Sequence, residues 1–348
     1  MNTFFNSLDI HNFRGFDRLQ ISGLTKLNVF IGANNVGKTS ILEALFMLCG
    51  LSDPLIATKI NRQRSISFDS VDSVKYLFHN LNLTTSPVLK AQMEDGSFRR
   101  VSLSPKMDTD LADITSNNPF LSPKISELTY RFDIEDGEGY RYSNFLYTDN
   151  EGKKKVTGTN FYNMVINTLY TKEEKNDDTT SQFASLVKLG GKQWVIDAIH
   201  EFDPRIESIE ALPDGLYLKL TGCRELLPIC MSGDGVRHMV SILSLMASED
   251  INVFAIDEID NGMHYSAHKL MWKTILKFIQ QRNIQVFITT HNMDCLLGLL
   301  NTMEEFTEFR SMANVYNISK TKANGFQSYR YSYNELKEAI EREIEIRK

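Results

Sequence analysis

Hydrophobic positions along this chain follow three regimes. Within the first 50 residues, short alternating segments give way to the apolar run Leu27-Asn28-Val29-Phe30-Ile31, which predicts a buried strand. Ile41, Leu42, Leu45, Phe46 and Leu48 then recur at helical spacing and stop at Gly50, a natural residue just past a helix end. The middle of the chain alternates polar and apolar residues around turn sequences. Hairpins are predicted at 87–103, turning on Glu94-Asp95-Gly96, and at 128–147, turning on Glu135-Asp136-Gly137. A third pivots on Pro213-Asp214-Gly215. Residues 53–65 read as polar and irregular. Thr171 to Thr180 holds no apolar residue and reads as a mobile loop. Helical periodicity covers 183–202.

Beyond Gly222 the pattern becomes α/β. A helix is predicted at 231–247, with Val236, Met239, Val240, Leu243 and Met246 on one face. A buried strand at 253–256, a helix at 266–281 and a second buried strand at 284–288 follow. Such alternation implies a parallel sheet flanked by helices. The expected fold class is therefore α/β, a mixed sheet flanked by helices with an inserted antiparallel β and helical subdomain. Residues 1–50 and 220–348 would be the two halves of one nucleotide-binding domain, and 51–219 the insertion. A hairpin and a charged helix at 334–347 are expected to end the chain.

Chemistry gathers at the ends of the buried strands. Gly32-Ala33-Asn34-Asn35-Val36-Gly37-Lys38-Thr39-Ser40 fits G-x-x-x-x-G-K-[ST] between a predicted strand and a predicted helix. That arrangement turns several backbone N–H groups, from Asn34, Asn35 and Gly37 to Ser40, toward one point, as triphosphate oxygens require. Lys38 would reach the β and γ phosphates of ATP, and Thr39 would hold Mg²⁺. Val253-Phe254-Ala255-Ile256-Asp257-Glu258 is an apolar strand ending in two carboxylates. It would bring Asp257 to the sheet edge as a second Mg²⁺ holder, and Glu258 to polarise the attacking water. Val286 to Thr290 leads into His291, which could donate a hydrogen bond to the γ phosphate. Ser232-Gly233-Asp234-Gly235 opens a helix. It reads either as a second anion site, acting in trans across a dimer, or as a plain N-cap.

Composition narrows the field. The chain has 348 residues, 42% hydrophobic and 24% charged, as for an ordinary globular protein of about two domains. A net charge of −6 argues against a uniform nucleic-acid coat but leaves room for a local basic patch. The four cysteines show no C-x-x-C pair and read as core residues of a reducing compartment. The N-terminus lacks a basic and apolar leader, and no apolar run approaches the roughly 18 residues of a membrane span. A cytoplasmic protein without a membrane partner is expected. Arg99-Arg100 and Lys153-Lys154-Lys155 read as solvated loop charge and Trp194 and Trp272 as core residues, while His264 and His268, four apart, lack the rest of a metal-ligand set.

The opening Leu8-Asp9-Ile10-His11-Asn12-Phe13-Arg14-Gly15-Phe16, the Asn34-Asn35 pair and Leu42-Glu43-Ala44-Leu45 resemble ABC-class ATPases of the SMC/RecF/OLD group. Asp257-Glu258-Ile259-Asp260-Asn261-Gly262-Met263-His264 and Thr289-Thr290-His291-Asn292 are similar, more narrowly, to standalone OLD-like ATPases. This resemblance implies that Ser232, Gly233 and Gly235 belong to the ABC signature, contacting ATP on the partner subunit. It makes Asp260 a D-loop residue at the dimer interface, His291 the switch histidine and Arg14 a nucleotide neighbour. It further implies a homodimer formed on ATP, with higher oligomers left open, and a separately encoded nuclease or toxin effector in anti-phage defence. Three departures stand out. Asp234 replaces the second signature glycine, Gly235 replaces the usual glutamine, and no Q-loop glutamine is identifiable. The residues after His291 are not expected to form a TOPRIM nuclease domain like that of full OLD nucleases. A RecF-like ATPase that clamps DNA and a weakly hydrolysing ATP-bound scaffold are the alternative readings.

Overall fold

The computed structural model describes residues 4–51, 53–64, 71–105, 129–136, 141–148, 153–158, 168–171, 176–188, 190–246, 252–342, 344 and 346. The chain divides into two compact units. One comprises 1–24, 33–168 and 318–329, the other 25–32, 169–317 and 330–348.

Strands β1 (Phe5–Phe13) and β2 (Phe16–Ser22) form a hairpin, and β3 (Leu27–Ile31) follows. Helices α1 (Lys38–Cys49) and α2 (Ile56–Gln63) precede β4 (Val88–Met93), β5 (Phe98–Pro105), β6 (Tyr130–Asp136), β7 (Arg141–Thr148) and β8 (Lys154–Thr157). In the first unit these strands make one antiparallel sheet in the order β2-β1-β4-β5-β6-β7-β8. Its register aligns Ile10, Leu89, Val101 and Ile134 in one buried row. The adjacent row, Asp9, Lys90, Arg100, Glu135 and Arg141, lies on the opposite face, as the period of two requires. The β4–β5 turn is set by Gly96 at φ +85° and by the Asp95 carboxylate, which accepts from the Ser97 N–H and hydroxyl. The turn expected at Gly137 lies outside the described residues, although its flanking strands pair.

The free edge of β1 pairs with β4, so the opening hairpin belongs to the sheet built from the middle of the chain. Two stretches differ from expectation. Within 53–65 stands α2, whose Ile56, Ala57 and Ile60 share one buried face. The expected loop at 171–180 carries the start of a helix from Asn176, while 172–175 lie outside the described residues.

After β9 (Thr168–Thr171), the second unit contains α3 (Asn176–Lys188), α4 (Lys192–Phe202) and the small sheet β10 (Ile206–Leu212), β11 (Gly215–Leu220) and β12 (Leu227–Pro228). Then come α5 (Asp234–Met246), β13 (Val253–Ile256), α6 (Tyr265–Arg282), β14 (Gln285–Thr289), α7 (Met293–Glu305), β15 (Ala313–Thr321), β16 (Gly325–Tyr331) and α8 (Tyr333–Glu341). The order β15-β3-β14-β13-β9 forms the central sheet, with parallel pairing from β15 through β13. β15 turns back into β16, which makes the sheet mixed. Every residue of β3, β13 and β14 is buried, so these strands read as near-continuous apolar runs, interrupted by Asn28 and bounded by Gln285 and Thr289, rather than alternating ones. Leu27, Val29 and Ile31 join a core with Met239, Leu243, Trp272, Ile275 and Leu299 from α5, α6 and α7. Among the described residues no helix is long and apolar enough to cross a membrane.

Candidate functional site

Parallel register brings three chemical segments to one edge of the second unit. Val29 pairs with Ile288, and Ile288 with Ile256, so β3, β14 and β13 end nearly level. Gly32, Thr289 to His291, and Asp257 with Glu258 follow at these carboxyl ends, where open α/β sheets place ligands. The Thr290 N–H donates to the Phe30 carbonyl at 3.2 Å, tying the histidine segment to β3. Asp257 is 2% exposed and accepts from the Thr289 hydroxyl at 2.6 Å. The same hydroxyl accepts from the Glu258 N–H at 2.8 Å. Glu258 itself adopts φ +54° and is exposed, although Asp257 and Ile259 on either side are buried. His291 is exposed at the end of the neighbouring strand.

The loop after Glu258 is wired to its surroundings. The Thr290 hydroxyl donates to Asp260 Oδ1 at 2.6 Å, and the Ile259 N–H to the Thr289 carbonyl at 3.2 Å. Gly262 turns the chain at φ +71°, where a β-carbon would fall 2.9 Å from Asp234 Cβ. The loop therefore lies against the start of α5. His238, one turn into that helix, donates from Nε2 to the Ile259 carbonyl at 3.1 Å, and burial pushes its pKa below the usual range. Ser232 is not the cap of α5. The Gly233 carbonyl receives the first helical bonds, from the N–H groups of Val236 and Arg237, while the Ser232 hydroxyl donates to the Ile229 carbonyl at 2.7 Å. Gly233 is exposed, Gly235 sits beside the Gly262 carbonyl, and Asp234 pairs with Arg237.

In the first unit, the glycine-rich loop shows why its residue types are needed. Asn35 holds φ +63° and Gly37 φ +104°. A β-carbon on Gly37 would also fall 2.5 Å from the ring of Phe16, so both backbone angle and space demand glycine. Ala33 to Asn35 are exposed and Val36 to Thr39 half-buried. The Lys38 ammonium donates to the Ala33 carbonyl of its own loop at 3.0 Å. Ser40 is buried, and its hydroxyl accepts from Arg64 at 3.2 Å. Arg64 also grips Glu43, one turn along α1, which Arg14 holds from another side. Arg14 stands at φ +55° in the β1–β2 turn and donates further to the Tyr76 carbonyl.

Several residues take structural places. Arg99 donates to the carbonyls of Leu48 and Cys49, neutralising the C-terminus of α1. Lys154 and Lys155 lie on β8, the last strand of its sheet. Trp272 is buried and bonds the Cys295 carbonyl, and Trp194 packs on Phe278. His264 caps α6. His268 is buried, and neither ring nitrogen has a hydrogen-bond partner. Cys49 and Cys295 are buried as expected, but Cys223 and Cys230 are exposed. Among the described residues no cluster of three or more His, Cys, Asp or Glu side chains could hold a metal ion.

This geometry has known relatives. The profile of the family described as AAA ATPase domain matches residues 4–188 and 59–296, well over half of the chain. The chain belongs to the AAA ATPase domain family. This P-loop ATPase is 24% identical over 324 aligned residues to a Helicobacter pylori (strain ATCC 700392 / 26695) protein named ATP/GTP phosphatase, covering 83% of the ATPase and 85% of that relative. Its fold resembles the Smc head solved bound to the C-winged helix domain of ScpA. The TM-score is 0.51 at 12% identity, over 97% of the ATPase and 99% of the Smc head. The ATPase thus has an α/β fold that resembles this Smc head.

Reading the sequence did not single out Arg64, His238, or the separate tasks of the Thr289 and Thr290 hydroxyls. Glu43 carried a usable signal, a carboxylate on an otherwise apolar stretch of α1.

Proposed function

We propose that this ATPase is an OLD-like member of the ABC class, dimerises on ATP and governs a separately encoded effector, in defence against phage. The observation that carries the hydrolytic part is the contrast at the end of β13. Asp257 is buried and anchored, while Glu258 is exposed through a left-handed turn. In this reading the backbone N–H groups of Asn34 to Ser40 bind the phosphates, and Lys38 neutralises their charge. Thr39 and Asp257 offer hydroxyl and carboxylate oxygens, a donor set suited to Mg²⁺, which supplies charge neutralisation when bound. Glu258 takes the proton of the attacking water, and His291 bonds the γ phosphate. Arg14 stands near the nucleotide with its charge held by Glu43.

Ser232, Gly233 and Gly235 meet the ATP of a second copy, with Asp260 at the interface. The Ser232 position ahead of the true cap supports this assignment over the capping alternative. Defence and the effector rest on the OLD-like motifs. Because the Helicobacter relative is named for both nucleotides, GTP belongs in the same assay.

Glu258→Gln tests the reading. The variant should bind ATP, release no phosphate and accumulate as an ATP-bound dimer in light scattering. Normal phosphate release would assign the base elsewhere.

A further inference from the structure

We propose that Thr289 is a positioning residue for hydrolysis, one hydroxyl setting the geometry of both carboxylates at the end of β13. The proposal rests on the reading of Glu258 as the group that polarises water. Register leads to it directly: Ile256 pairs with Ile288, so the next residues, Asp257 and Thr289, meet across the two strands. The Thr289 side chain is fully buried. Its single hydroxyl proton goes to Asp257 Oδ1 at 2.6 Å, and its oxygen receives the Glu258 N–H at 2.8 Å.

Those two bonds do different jobs. The first fixes the rotation of the buried Asp257 carboxylate. The second holds the backbone of Glu258 at φ +54°, a region that a non-glycine residue seldom occupies unaided. This turn separates exposed Glu258 from its buried neighbours. The Asn261 N–H, donating to the Glu258 carbonyl at 3.0 Å, braces the other side of the turn. Thr290 repeats the motif on a different target: its hydroxyl donates to Asp260 and accepts from the Asn292 N–H at 3.1 Å. Thr290 lies just past β14 and its hydroxyl bonds different groups, so the two threonines can be tested separately.

The test compares Thr289→Val, which keeps the shape but can neither donate nor accept, with Thr289→Ser, which restores the hydroxyl. Glu258→Gln runs beside them. Thr289→Val should lower kcat about tenfold or more, with ATP affinity within about threefold of wild type. Amide hydrogen exchange at Glu258 should accelerate in the Val variant alone. Thr289→Ser should recover turnover to within about threefold. If the Val protein does not fold, Thr289→Ala carries the same comparison. Wild-type turnover in Thr289→Val beside an inactive Glu258→Gln would overturn the role of Thr289 and leave the base in place. Parallel loss of ATP binding and turnover would also overturn it, as a merely structural effect. An active Glu258→Gln would instead remove the reading beneath it.

Discussion

Arg14 holds Glu43 in a two-pronged grip, Nε to Oε2 at 3.0 Å and Nη2 to Oε1 at 3.2 Å. Glu43 is fully buried and the Arg14 side chain is 8% exposed. Arg64 takes the same carboxylate from α2, with Nε 2.6 Å from Oε1. The β1–β2 turn, α1 and the end of α2 thus share one acidic centre.

Removing that centre leaves two guanidinium groups facing each other with no shared counter-charge. Glu43→Ala should therefore cost about 3–5 kcal/mol in urea unfolding, the range for breaking a buried ion pair. Glu43→Gln, which keeps hydrogen-bond acceptance on one oxygen, should cost less. A loss below about 1 kcal/mol for the alanine variant would mean that the arginines find water or other partners easily.

Lys38→Ala should abolish ATP binding without unfolding the protein. Lys38 is half-buried beside its loop and donates to the Ala33 carbonyl. Its removal takes away the side chain that the glycine-rich loop offers to the phosphates. The check is titration with a fluorescent ATP analogue, where unchanged affinity in a folded variant would contradict the assignment.

Ser232→Arg should leave nucleotide binding by one subunit intact while blocking hydrolysis. Mixed with Lys38→Ala, it should recover partial activity, because such a heterodimer keeps one complete pair of loop and signature. Native mass spectrometry can establish that heterodimers form. If they do and phosphate release stays at the background of each variant alone, assembly in trans is wrong.

His238 gives the fold a dependence on pH. Burial lowers its pKa in the folded protein below the ordinary value of 6.5, outweighing the raising effects of the Ile259 carbonyl and the nearby Asp260. Below about 6.5 the unfolded chain takes up a proton that the folded chain resists. The unfolded state then binds more protons, so stability is full above that pH and falls on acidification toward the folded pKa. Unfolding free energies at pH 7.5 and 5.5 should differ more for wild type than for His238→Gln, which can still donate to the Ile259 carbonyl. Equal differences would place the pH dependence on other groups.

The strands that carry the candidate site could be read from the chain because buried parallel strands leave a distinctive trace. Val253 to Ile256 and Val286 to Ile288 are short apolar runs, the first followed at once by carboxylates that suit a cation or water and the second by hydroxyls and a histidine. Helix α2 escaped notice for the opposite reason: Ile56, Ala57 and Ile60 supply one buried face among Thr58, Lys59, Asn61 and Arg62. The first residues of α3, Asn176 to Thr180, are entirely polar and look like a loop until the helix they begin is seen. Thr289 is harder still. A threonine at a strand end has no pattern of its own, and only register, which joins residues far apart in sequence, pairs it with Asp257.

The central strand also has a bearing on how the molecule is made. The Asn28 side chain reaches the Val286 carbonyl across 258 residues, and both neighbours of β3 come from the C-terminal third. During synthesis the β1–β2 hairpin and β4 can pair long before either neighbour exists. β3 must wait, carrying the uncovered apolar run Leu27 to Ile31 until β14 and β15 leave the ribosome. A chain interrupted before residue 285 would leave that run uncovered. The central strand of this ATPase is therefore among the first parts to be translated and among the last to be covered.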